Sequence, residues 1–364
     1  MKKVLILVNH DVVIYNFRLE LVERLLEENY YVYISSPYGE RIDDLKELGC
    51  RFIETPISRH GTSIKEDFNL ILKYREMMKW IQPDIVLTFT IKPNIYGGMA
   101  ASSLDIPYIS NITGLGTAVE NGGVMQKVTT ELYRIAFRSV KCVFFQNEEN
   151  QQFFIDRNIA TGKHQLIPGS GVNLERFPLL EYPNDDVVRF VFISRIMKEK
   201  GIDQFLEAAK YIKQKHPNTE FHICGFCEED YEEILQEYED KGIIIYHGMV
   251  RNIIDVLKDM HCTVHPTYYP EGMSNVLLES AASGKPIITT NRSGCKEIVD
   301  HDINGYIVPI KAEVKLIEKI NKFIQLPYKE KNEMGILGRE KMKHNFDRTI
   351  VVNSYMKQIK MEVN

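Results

Sequence analysis

Short apolar runs alternate with amphipathic stretches along almost the whole chain, and the alternation breaks once and then restarts. Residues 4–9, 31–35, 51–55, 85–90, 108–112, 142–146 and 165–167 read as strands, with helical spacing at 19–28, 69–80 and 126–140. After the break, 189–194, 219–224, 243–247, 262–265, 286–290 and 305–308 read as strands again. A strand that is apolar at consecutive positions has both faces covered, the property of a parallel sheet flanked by helices. Two such series predict an α/β chain of two doubly wound, Rossmann-like domains. The break lies at 168–186, where Pro168, Gly169, Gly171, Pro178 and Pro183 interrupt periodicity. The expected domains are therefore 1–170 and 171–341. In such sheets ligands sit beyond the carboxyl ends of the strands, so two facing domains would line a cleft with strand-end loops.

The 364 residues, 44% hydrophobic and 26% charged, suffice for two cores. A net charge of -5 argues against a general nucleic-acid binder. The apolar run at 4–8 is too short for a signal peptide, and no uncharged stretch approaches the length of a membrane span. Six scattered cysteines read as reduced thiols, which points to the cytoplasm.

Two motifs carry chemistry. In Pro270-Glu271-Gly272-Met273-Ser274-Asn275-Val276-Leu277-Leu278-Glu279 the first carboxylate sits in a glycine turn after a strand. The second sits a turn inside the next helix. The opening of that helix, at 272–275, is expected to aim free N–H groups at an anion. Glu279 is placed to accept hydrogen bonds from vicinal hydroxyls. Alone, the pattern also fits a strand–turn–helix with solvated glutamates. The second motif, Ser194-Arg195-Ile196-Met197-Lys198-Glu199-Lys200-Gly201, follows the first strand of the second domain. Arg195 offers a planar fork and Lys200 a mobile point charge, a pair suited to gripping a diphosphate and stabilising it as it leaves. Both loops are expected at strand carboxyl ends, where they can converge.

At these residues the chain resembles the family-4 retaining glycosyltransferases of the GT-B fold. The resemblance extends through Tyr15-Asn16-Phe17-Arg18, Thr88-Phe89-Thr90-Ile91-Lys92-Pro93-Asn94, Asn111-Ile112-Thr113-Gly114-Leu115-Gly116 and Ile167-Pro168-Gly169-Ser170-Gly171-Val172. These segments look like the bacterial branch that builds capsule, exopolysaccharide or lipid-linked glycans. The resemblance implies an acceptor-side first domain, a nucleotide-sugar-binding second domain, and a last helix at 342–364 packing back on the first. It implies a UDP-sugar donor held by Arg195 and Lys200 at the diphosphate, by Glu279 at the ribose and by Glu271 at the sugar. The amides of Met273, Ser274 and Asn275, beside Gly272, would lie near sugar and phosphate. Gly225 would let the nucleotide approach the backbone. Asn16, in the loop after the first strand, would reach the phosphates or the acceptor, and Gly114 and Gly116 would shape the acceptor side. Several family members carry a histidine where this chain reads Thr113-Gly114-Leu115-Gly116, so no first-domain base is assigned. The implied mechanism is a front-face displacement in which a donor phosphate oxygen takes the acceptor's proton. A covalent glycosyl intermediate on Glu271 is the alternative route.

No cofactor or metal is expected. The Asp-x-Asp that a metal-dependent enzyme would want is present at Asp300-His301-Asp302, where it reads as a turn into Asn304-Gly305. Cys224-Gly225-Phe226-Cys227 has no second pair to complete a zinc site. His261 and His265 share a strand face but lie about 13 Å apart, too far for one metal. The segment 126–142 interleaves Lys127, Arg134, Arg138 and Lys141 with Val128, Leu132, Ile135 and Phe137. It fits a helix packed on its sheet with a wet basic edge; it also fits a surface resting on anionic lipid at the inner face of the plasma membrane. That second reading would bring the enzyme to a lipid-linked or oligosaccharide acceptor. A dinucleotide-dependent dehydrogenase is disfavoured, because the loop Asn9-His10-Asp11-Val12-Val13-Ile14-Tyr15 lacks glycine. A nucleotide-sugar 2-epimerase and a non-catalytic nucleotide-sugar binder remain as alternatives, since fold alone does not separate them.

Overall fold

A computed structural model describes residues 1–57, 63–120 and 122–363. The chain divides into two compact units, Met1–Gly171 with Arg348–Asn364, and Val172–Asp347. The first contains strands β1 (Lys3–Leu7), β2 (Tyr31–Ser36), β3 (Arg51–Glu54), β4 (Ile85–Phe89), β5 (Tyr108–Ile112), β6 (Cys142–Phe145) and β7 (His164–Leu166). They form one sheet in the order β3-β2-β1-β4-β5-β6-β7. The second contains β8 (Val188–Ile193), β9 (Thr219–Cys224), β10 (Ile245–Tyr246), β11 (Cys262–His265), β12 (Ile287–Thr290) and β13 (Gly305–Val308), ordered β10-β9-β8-β11-β12-β13. Every strand pair is parallel.

The sequence explains the double covering. In β1, Val4 and Ile6 pack into one core and Leu5 and Leu7 into the other, because successive side chains leave opposite faces. In β8, Phe190 and Phe192 enter one core and Val191 the opposite one. The strand order reverses between β1 and β4, and again between β8 and β11. Those reversals are the places where doubly wound sheets leave room for a ligand.

The last helix differs from expectation at its start. Residues 342–347 stay with the second unit: Met342 belongs to the helix Tyr328–Asn345, and it and Phe346 are buried in that unit's core. The return begins at Arg348, and the helix Arg348–Val363 places Val351, Tyr355, Met356 and Ile359 in the core of the first unit. Residue 364 lies outside the described residues. Arg348 donates to the Glu20 carboxylate at 2.9 and 3.0 Å, and Asn111 Nδ2 donates to the Tyr355 hydroxyl at 2.7 Å.

Candidate active site

The loops after β8 and β11 flank the strand reversal of the second sheet, and backbone bonds stitch them together. The Tyr268 N–H donates to the Glu199 carbonyl at 2.9 Å, and the Thr267 hydroxyl to the same carbonyl at 3.3 Å. Gly201, at φ +83°, closes the first loop so tightly that a Cβ there would lie 2.2 Å from the Pro266 carbonyl oxygen. Only glycine fits that approach.

On this frame the two sequence motifs meet. Lys200, buried, pairs through Nζ with the Glu271 carboxylate. The Tyr269 ring stands between the cations, its centroid 4.4 Å from Lys200 Nζ and 5.5 Å from the Arg195 guanidinium carbon. Arg195 also reaches Glu228, Nη1 to Oε1 3.2 Å. A third loop, after β12, completes the wall. Arg292 Nε donates to the Tyr269 carbonyl at 3.2 Å, and a Cβ on Gly294 would come within 2.8 Å of the Gly272 carbonyl oxygen. The helix Asn275–Ala282 then carries Glu279, half-buried, about one turn in.

One expectation about local geometry changes, and another gains a second cause. The Ser274 N–H is not held open for an anion: it donates to the Gly294 carbonyl at 2.8 Å, because the β12 loop packs onto the glycine turn. Gly225, at φ +145°, has a cause inside the protein. A Cβ there would lie 1.7 Å from the Ser194 carbonyl oxygen, so the crossing of two strand-end loops already demands glycine.

His265, at the end of β11, is buried, with neither ring nitrogen hydrogen-bonded. Burial, reinforced by the Lys200 charge, pushes its pKa down to about 3 and keeps it neutral. His261 is structural: its Nδ1 accepts from the Arg189 N–H at 3.0 Å and its Nε2 meets the Asn184 carbonyl at 2.8 Å.

In the first unit, Asn16 lies in the helix Asp11–Phe17, not in a loop, and its carbonyl accepts from Arg348 Nη1 at 3.0 Å. The helix forms despite its β-branched start because the His10 ring caps it, accepting from the Val12 N–H at 3.2 Å. His10 Nδ1 also lies 2.8 Å from the buried Asp11 carboxylate. Gly114 and Gly116, at φ +140° and +75°, turn the loop after β5.

Among the described residues no group of three His, Cys, Asp or Glu side chains is arranged to hold a metal ion. The carboxylates of Asp300 and Asp302 are engaged by Lys341 at 2.8 Å and Lys322 at 2.6 Å. All six cysteines are free thiols.

Sequence reasoning missed Tyr269, Glu228 and Arg292. The adjacent pair Tyr268-Tyr269 before Pro270-Glu271 was a signal for the first. For the second, the acid run Glu228-Glu229-Asp230 stands directly after the Cys-x-x-Cys that drew attention to thiols.

Residues 176–341 match the family model described as glycosyl transferases group 1, and residues 3–147 match glycosyl transferase 4-like. The chain belongs to the family-4 glycosyltransferases. This transferase is 24% identical over 364 residues to the N,N'-diacetylbacillosaminyl-diphospho-undecaprenol alpha-1,3-N-acetylgalactosaminyltransferase of Campylobacter jejuni, covering 94% of each chain. It is 26% identical over 298 residues to the Escherichia coli UDP-Gal:alpha-D-GlcNAc-diphosphoundecaprenol alpha-1,3-galactosyltransferase, covering 76% of this chain and 74% of that one. Its fold, two doubly wound units of GT-B type, matches a Rickettsia africae glycosyltransferase with a TM-score of 0.83 at 19% identity, over 100% of this chain and 99% of the other.

Proposed function

We propose that this transferase moves a hexose or N-acetylhexosamine from a UDP-sugar to a lipid-linked glycan acceptor, with retention and without a metal, in the synthesis of a bacterial surface polysaccharide. The observation that carries the reading is the convergence of Arg195 and Lys200 on Tyr269 beside Glu271, at the reversal of the second sheet. A diphosphate placed there meets a planar fork and a mobile ammonium. As the bond from the anomeric carbon to the phosphate oxygen breaks, the electron pair stays on the diphosphate. Cations already in contact with the bound diphosphate stabilise that charge as it develops. The acceptor oxygen bonds to the anomeric carbon on the leaving-group side, and its proton passes to a phosphate oxygen. Glu271 holds sugar hydroxyls and Glu279 the ribose. The uridine and the polyprenyl diphosphate acceptor are supported by the relatives named above.

Access to such an acceptor is supported by the helix Gly123–Ala136. Its Val124 is 79% exposed, with Met125, Val128 and Ile135 also exposed. Exposed Lys127 and Arg138 flank them. Arg134 is tied to Glu131 and the Arg157 carbonyl, and Phe137 is buried, so the apolar first turns are the better lipid contact. Among the described residues no helix is long and apolar enough to cross a membrane.

The test is a thermal-shift screen of nucleotide sugars followed by transfer to polyprenyl-diphosphate-linked monosaccharides, with NMR of the product's anomeric proton. EDTA is expected to leave the rate intact. Donor conversion in the absence of any acceptor would favour an epimerase, and an inverted anomeric centre would overturn the retaining mechanism. For the lipid contact, Val124→Ser with Val128→Ser is expected to weaken flotation with phosphatidylglycerol vesicles; unchanged flotation rejects it.

A further inference from the structure

The loop after β9 is fastened to the cationic loop after β8 by hydrogen bonds that do not involve the Glu228 carboxylate. The Ile196 N–H donates to the Phe226 carbonyl at 2.8 Å, and the Glu228 N–H to the Ile196 carbonyl at 3.0 Å. The Lys198 N–H donates to Glu229 Oε2 at 2.8 Å. Glu228 is thereby delivered to Arg195 by backbone geometry, and its carboxylate takes the fork that the diphosphate would need.

The two cation–carboxylate pairs of the site differ in burial. Lys200 and Glu271 are 9% and 16% exposed; Arg195 and Glu228 are 37% and 35% exposed. A pair that is one-third exposed is weak, because water screens it, so it orients the arginine yet exchanges readily. Arg195 also keeps the Tyr269 ring as a second support when the carboxylate leaves.

We propose that Glu228 is the resident counter-ion of Arg195, held in place until a donor diphosphate displaces it, and that it thereby sets part of the donor affinity. The proposal rests on the diphosphate role of Arg195. Glu228 is a positioning residue: it acts on the nucleotide only through the arginine, by occupying and aiming it. No covalent step is involved; one anion replaces another.

The experiment is calorimetric titration of the full chain with UDP and with uridine at low ionic strength. Glu228→Gln keeps the shape and the backbone bonds and removes the charge. It is expected to bind UDP about two- to fivefold more tightly than wild type, the range a screened surface pair can supply. Uridine, with no phosphate, is expected to bind both alike. Glu233→Gln makes the same change in net charge on an exposed helical position and is expected to leave UDP affinity unchanged. In an Arg195→Ala background the Glu228→Gln gain is expected to vanish, which a purely structural effect would not do. Equal or weaker UDP binding by Glu228→Gln overturns the proposal, as does a gain that survives loss of Arg195 or appears equally with uridine. Wild-type protein that binds no UDP overturns the donor reading itself, which is a different failure.

Discussion

The two units share a scaffold and differ in the chemistry at its open end. At the reversal of the second sheet the carboxyl ends carry cations engaged by carboxylates, Lys200 with Glu271 and Arg195 with Glu228. At the open end of the first, neutral polar groups bond to one another beside the Asp11 carboxylate. The Thr88 hydroxyl donates to Asn94 Oδ1 at 2.7 Å, Asn94 Nδ2 to the Asn111 carbonyl at 2.8 Å, and the Ser35 and Thr55 hydroxyls meet at 2.9 Å. Two cations there are engaged as well: Arg18 is buried against the Phe89 and Tyr355 rings, and Lys92, just after β4, pairs with Asp67 at 2.9 Å. One parallel sheet thus presents cations paired with carboxylates and the other a platform of hydrogen-bonded hydroxyls and amides, though both derive from the same alternation of strand and helix. The scaffold fixes where a ligand can sit; a handful of loop residues fix its charge.

That contrast can be broken most sharply at Lys200. Lys200→Ala is expected to lower kcat/KM by about 10²- to 10³-fold, the loss typical of removing one group that stabilises developing charge, with the fold intact by circular dichroism. A near-normal rate would mean that the second unit's grip is ornamental. On the neutral side, Tyr355→Phe leaves the Asn111 amide without its partner in a buried place. It is expected to cost about 1–3 kcal/mol in urea unfolding while leaving UDP affinity unchanged. A shift in UDP affinity would show that the two ends are not chemically separate.

A pH dependence of stability follows from His265. Its pKa falls from 6.5 to about 3 on folding, so between those values the unfolded chain binds the extra proton. Stability is then full above about pH 6.5 and falls on acidification through that window, by up to about 1.4 kcal/mol per pH unit for one such group. His261, lowered to about 4, adds to the slope down to that pH. His265→Leu is expected to flatten the profile measured by urea unfolding from pH 7 to pH 4, and an unaltered slope would sink this account. Smallest is Tyr269. Tyr269→Phe keeps the ring and is expected to be near neutral. Tyr269→Leu removes both cation contacts and is expected to cost about 0.5–1 kcal/mol in kcat/KM, a few-fold in rate.

Much of the architecture was legible because it depends on burial. β1 and β4 are apolar at all but one position each, and flanking helical patterns mark them as strands; β5 carries Ser110 and Asn111 yet is buried throughout. The edges were harder: β10 is only Ile245–Tyr246, where 243–247 was expected, because an edge strand has one neighbour to pair with. The helix Asp11–Phe17 was read as a loop, since Val12-Val13-Ile14 favours strand and the ring cap at His10 is not a common one. At the site, Arg195, Lys200 and Glu271 could be found from their chemistry. The contact between Lys200 and Glu271 spans 71 positions, and Tyr269 and Glu228 acquire meaning only when such distant loops are brought together. Spacing along a chain carries no information about that.

The helix Arg348–Val363 has a consequence for biogenesis. It fills the core of the amino-terminal unit, yet the ribosome makes it after every residue of the carboxy-terminal one. During translation the first half waits with an open hydrophobic seam along β4 and the helix Leu19–Glu27 while the second half can already mature. Nascent chains stalled before Arg348 should therefore recruit chaperones to the older half, and a protease pulse should cut there first.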